Sequence, residues 1–106
     1  MTLAELKTVL EGVFPGKVVY HAWPENTAPA LPWVCIFETG AANESADNIV
    51  FFSAHQVNVE LYTEKKDTAK ETSIEAALTA AEIYYEKDCE YLSDEKMHMT
   101  TYTVEV

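Results

Sequence analysis

From Gln56 to Leu61 polar and apolar residues alternate without a break: Val57, Val59 and Leu61 fall on one parity, Gln56, Asn58 and Glu60 on the other. Side chains of an extended chain point to opposite faces in turn, so this pattern predicts a strand with one face against an apolar layer and one face towards water. Such a strand needs partner strands and a cover. It is predicted to run from Ile49 to Thr63. Over Ile49–Phe52 both parities are apolar, so the outer residues there need a cover of their own, from a helix or from another subunit.

Two helical stripes can supply the covering layer. Leu3, Leu6, Leu10 and Val13 recur at helical spacing and predict a helix over residues 2–14. Thr2 and Glu5 form a capping-box pattern at its start, and Phe14-Pro15-Gly16 ends it. Thr68 and Glu71 read as a second capping box, followed by a stripe of Ile74, Ala77, Leu78 and Ala81. The other β-prone runs are Val18–Ala22, Trp33–Phe37, Tyr85–Leu92 and Met97–Val106, the last two joined by a turn at Ser93-Asp94-Glu95-Lys96. Trp33–Phe37 is apolar on both parities, which predicts a strand covered on both faces. Three prolines between Trp23 and Trp33 exclude regular structure there, and Thr39–Asn48 is small and polar, which predicts an exposed loop. The order is α-β-β-β-α-β-β. It implies an α+β two-layer sandwich with a mostly antiparallel sheet and two helices. With 106 residues and no repeat or linker, residues 1–106 are expected to form a single domain.

Charge narrows the function classes. Eighteen Asp and Glu against seven Lys and Arg leave −11, which repels a phosphate backbone and argues against sequence-specific nucleic-acid binding. No apolar run is long enough to cross a membrane, and Thr-Leu-Ala-Glu-Leu-Lys does not read as a signal peptide. Cys35 and Cys89 lack metal or redox spacing and are expected to be buried, inert thiols. His21, His55 and His98 stand far apart, as strand or surface residues rather than metal ligands. Glycines occur only at 12, 16 and 40, so no phosphate-binding loop can be drawn. Glu38, Glu60, Asp88 and Glu90 pair as acids only in the sense that eighteen acids pair by chance. The chain is therefore read as non-catalytic, with no cofactor and no metal.

What is left over is bulky and apolar. Trp23, the proline-rich segment and Phe51-Phe52 exceed what a small two-layer core clearly needs, and aromatic residues outside a core commonly anchor interfaces. Trp23, Phe51 and Phe52 are the candidate interface residues. Gly40, Asn43, Glu44, Asp47 and Asn48 mark a candidate flexible loop for a partner.

Several segments, in this order, are familiar: Trp23-Pro24-Glu25-Asn26, Leu31-Pro32-Trp33-Val34, Ala46-Asp47-Asn48, Val59 to Asp67 (VELYTEKKD), Ile74 to Leu78, Tyr84 to Lys87 and Tyr102 to Val106. Together they resemble a family of small prophage proteins of long-tailed bacteriophages from Gram-positive hosts, the minor tail, tail-completion or tail-to-head joining proteins. One departure stands at Glu82-Ile83-Tyr84, where the family leads one to expect a Gly-Ile-Pro-like exit from the second helix. The resemblance implies a tail terminator: a homo-oligomeric ring that caps the tail tube protein and offers a surface to the head-completion or connector protein. It implies a place in the virion tail or neck, reached from the host cytoplasm. A ring needs a head-to-tail interface on each subunit, for which Ile49–Phe52 is the candidate, and an acidic lumen would keep passing DNA from sticking. The alternatives are a head-side connector or neck protein, a minor tail protein or a tail-tube component of the same virion, and, from another class, an acidic mimic of DNA that inhibits a host enzyme, which the spread of the acids over strands and helices disfavours.

Overall fold

The computed structural model describes the backbone of residues 1–46 and 49–106 and the side chains of residues 1–41 and 54–106. The elements are α1 (Leu3–Glu11), β1 (Val18–Tyr20), β2 (Trp33–Ala46), β3 (Ile49–Thr63), α2 (Thr68–Ala80), β4 (Tyr85–Leu92) and β5 (Met97–Glu105). The chain thus has the expected α-β-β-β-α-β-β order. One five-stranded sheet runs β1-β2-β3-β5-β4. Only β1 is parallel to its neighbour; the other pairs are antiparallel.

The alternation of β3 does what its period requires. Val57, Val59 and Leu61 are fully buried, and Val34 and Ile36 of β2 and Tyr102 and Val104 of β5 lie beside them on the same face. Leu6 and Leu10 of α1 and Ile74 and Leu78 of α2 close this face into one cluster, joined by Phe14 and Ile83. The helices therefore make one layer and the sheet the other.

Helix ends follow local chemistry. Thr2 Oγ1 accepts from the Glu5 amide and Glu5 Oε1 accepts from the Thr2 amide, each at 3.1 Å, so the first capping box is formed. The second box is not. Asp67, one residue earlier, caps α2 by accepting from the Lys70 amide at 3.1 Å. Glu71 instead turns into the protein, where two lysines hold it. At the far end of α2, the Ile83 amide donates to the Leu78 carbonyl at 2.9 Å and the Glu82 amide to that of Thr79 at 3.0 Å. This is the double closure of a Schellman motif, and it puts Glu82 at φ 59, the left-handed position that glycine usually takes. The departure noted at Glu82-Ile83-Tyr84 thus falls on a residue in an unfavourable backbone region.

Three further expectations are corrected. Residues 39–46 are not a loop: β2 continues to Ala46, paired with β3 down to Ala46↔Ile49 with register shifts at Glu38/Gly40 and Glu44/Ser45. Trp33–Phe37 is covered by helices on one face only; on the other, Cys35 is buried, Trp33 half-buried and Phe37 exposed. Cys89 is exposed rather than buried, because β4 is an edge strand whose residues between its two ends are all exposed.

Pairing lengths give the sheet its outline. β5 accompanies β3 only over Gln56–Thr63, with one further pair of hydrogen bonds at His55, and β1 meets β2 only at Val34–Ile36. Beyond those points β2 and β3 continue as a two-stranded arm.

Candidate interaction face

Among the described residues, the side of the sheet away from the helices has no second layer. Its residues are those of the other parity: Trp33, Cys35 and Phe37 on β2, Asn58, Glu60 and Tyr62 on β3, Met97 and Met99 on β5, with Asp88 and Glu90 on β4. The prolines of residues 21–32 keep that segment out of strand or helix, and it passes as a strap over one end of this face. Between strap and sheet lies a cleft of about 370 Å³ lined by Trp23, Trp33, Tyr62, Leu92, Glu95 and Met97, with His21 and Cys35 beside them.

The cleft is aromatic and carries acid at its margins. The Trp33 and Tyr62 rings lie 6.0 Å apart at 40°, and His21 packs on Phe37 at 4.8 Å. The Tyr62 hydroxyl donates to Glu60 Oε1 at 3.0 Å. Burial raises the Tyr62 hydroxyl well above its ordinary range, the Glu60 carboxylate adds to this, and Glu95 contributes further off. Burial and the charge of Glu60 likewise push the Cys35 thiol up to about 11, so it stays protonated at neutral pH. The Trp23 indole N–H is shielded from solvent and has no hydrogen-bond partner among the described residues.

A second polar cluster lies on the helix side. Glu71 is almost wholly buried, and its Oε1 accepts from Lys66 at 2.9 Å and from Lys87 at 2.8 Å. Lys87 also reaches Glu75 Oε2 at 2.8 Å, and the Tyr102 hydroxyl donates to the same oxygen at 2.7 Å. Burial alone would raise the Glu71 carboxyl, but Lys87 and Lys66 hold it below its ordinary value. This cluster ties α2 to β4 and β5. Among the described residues no group of three or more His, Cys, Asp or Glu is placed to hold a metal ion.

The sequence-predicted site residues fall at two ends of the molecule. Trp23 lies in the cleft beside Trp33 and Tyr62, at the start of β2 and the end of β3. Gly40, Asn43 and Glu44 lie on β2, opposite Gln56, Ser53 and Phe52, while Phe51 stands at the second register shift. The side chains of Asn43, Glu44, Phe51 and Phe52, and all of Asp47 and Asn48, lie outside the described residues. Sequence reasoning missed Trp33, Tyr62, Leu92, Glu95 and Met97. The available signal was parity: Tyr62 shares the polar parity of Asn58 and Glu60, where an aromatic ring is out of place on a solvated face.

No family model matches the chain. No curated protein sequence matches it. Among solved structures, a chain in the virion of a native gene transfer agent particle is similar, with a TM-score of 0.66 and 13% identity over 95% of this chain and 84% of that chain. The two chains share a fold.

Proposed function

We propose that this chain is a non-catalytic structural protein of a phage-like virion, and within it a tail terminator. The observation that carries this reading is the fold it shares, over 95% of its length, with a chain of a gene transfer agent virion. The tail-completion resemblance of the Trp23–Asn26 and Val59–Asp67 segments points the same way. The β2–β3 arm favours the ring, because a strand pair that continues beyond the rest of the sheet can supply one side of a head-to-tail contact. On this reading the ring sits on the last tube ring, stops growth, and presents a surface to the head-side connector. The acids of the open sheet face, Glu60, Asp88 and Glu90, suit a wall past which DNA slides. No helix among the described residues is long and apolar enough to cross a membrane.

The test is solution mass by light scattering, with and without purified tail tubes. Rings that form on tubes, or rings that exist beforehand and bind tube ends, are the expected results. A chain that stays monomeric, ignores tubes and binds filled heads would replace the terminator by a head-side connector. A monomer that ignores both and inhibits a DNA-binding enzyme would favour the DNA-mimic role.

A further inference from the structure

The cleft beneath the strap has a chemistry that goes beyond a ring contact. Trp23, Trp33 and Tyr62 line it together with Met97 and the acidic Glu95. Glu60 adds a second negative charge beside Tyr62 and Cys35. Aromatic rings present negative faces, and rings combined with nearby carboxylates form a site for a cation that is only partly desolvated. No lysine lines the cleft, and the chain contains no arginine at all. The positive charge this site would take has to come from outside.

We propose that the cleft is a docking site for an arginine-bearing apolar segment of a different protein. The guanidinium stacks on Trp33 and Tyr62 with its N–H groups towards Glu95 and Glu60, and the flanking aliphatic side chains pack on Leu92 and Met97. Arginine suits it better than lysine because a planar, weakly hydrated cation can stack and donate to a carboxylate at once. A second copy of this chain is a poor occupant: it brings no arginine and carries −11 itself. The inference stands on the cleft alone and does not depend on the virion reading.

The chain's only two tryptophans both line the cleft, so intrinsic fluorescence reports on it directly. The probe is the peptide acetyl-Gly-Leu-Arg-Leu-Arg-Gly-amide, titrated into the full chain at low salt, beside the same peptide with glutamine in place of both arginines. Saturable binding of the arginine peptide is expected, with the glutamine peptide weaker by tenfold or more (about the span of a partly desolvated cation–π contact and one charge pair). Glu95→Gln, in an exposed turn where folding is not at stake, should weaken binding about threefold to tenfold. Glu86→Gln, an equal change of charge on β4 away from the cleft, should leave it unchanged. Trp33→Leu, which keeps net charge, should abolish saturation, with circular dichroism confirming the fold. Equal affinity for both peptides would overturn the proposal. So would equal losses in Glu95→Gln and Glu86→Gln, since attraction would then come from overall acidity, and so would the absence of any saturable change.

Discussion

Glu82 offers the sharpest test of how the chain closes α2. It is exposed, sits at φ 59, and is the residue whose left-handed conformation lets the Ile83 and Glu82 amides reach back to Leu78 and Thr79. A side chain in that region costs about 1–2 kcal/mol through the approach of Cβ to the backbone. A second penalty has the same sign: a carboxylate just past a helix C-terminus faces the negative end of the helix dipole, at about 0.3–1 kcal/mol. Glycine relieves both and gives back about 0.5–1 kcal/mol in unfolded-state entropy. Glu82→Gly should therefore stabilise the protein by about 1 kcal/mol, raising Tm by roughly 4–8 °C. Glu82→Gln separates the two causes, because it removes the charge and keeps Cβ; it should yield the charge part alone, a smaller gain than Glu82→Gly. Thermal and urea unfolding followed by circular dichroism read both variants. A Glu82→Gly protein no more stable than the parent would refute the left-handed closure, and equal gains from both variants would assign the whole effect to charge.

The Glu71 cluster makes stability depend on acid. Glu71 and Glu75 have folded-state values below the ordinary 4.5, so their contribution is present above about pH 4.5 and is lost as pH falls through the lowered values. Glu71→Gln should lower Tm near neutral pH, and the gap to the parent should narrow as the pH is lowered below the ordinary glutamate range; a gap that stays constant would contradict the pairing. A thiol reagent should label Cys89 at once and Cys35 only on unfolding, read by mass spectrometry as one adduct and then two. Trp23→Phe removes an indole N–H that has no partner among the described residues, so urea unfolding should shift by less than about 1 kcal/mol. Leu78→Ala, which empties a fully buried site between α2 and the sheet, should cost about 2–5 kcal/mol in the same assay.

The fold was legible wherever burial imposes a period. Val57, Val59 and Leu61 could face only one way, and Leu6, Leu10, Ile74 and Leu78 could serve only as the cover. The continuation of β2 through Gly40-Ala41-Ala42-Asn43 was not legible, because those residues have little strand preference of their own and are held extended by pairing with β3. Nor could Thr68 be separated from Asp67 as the cap of α2: both oxygens can serve, and in the structure Asp67 caps while Lys66 and Lys87 hold Glu71. Of the candidate site, Trp23 was readable as an aromatic with no obvious place in the core. Trp33 was read as part of a strand buried on both faces, and only the strap's path over one end of the sheet shows it to be a wall of a cleft.

The two edges of the sheet limit how copies of this chain can meet. A free edge strand invites another strand to join it, and growth of that kind has no natural end. On one side the edge is β1, three residues long and too short to template much. On the other it is β4, eight residues long, where Glu86, Asp88 and Glu90 recur on one face, so a second copy laid alongside would bring like charges together. Edge-to-edge pairing is thus discouraged where the sheet is widest, and the free edges left to another copy are those of the β2–β3 arm.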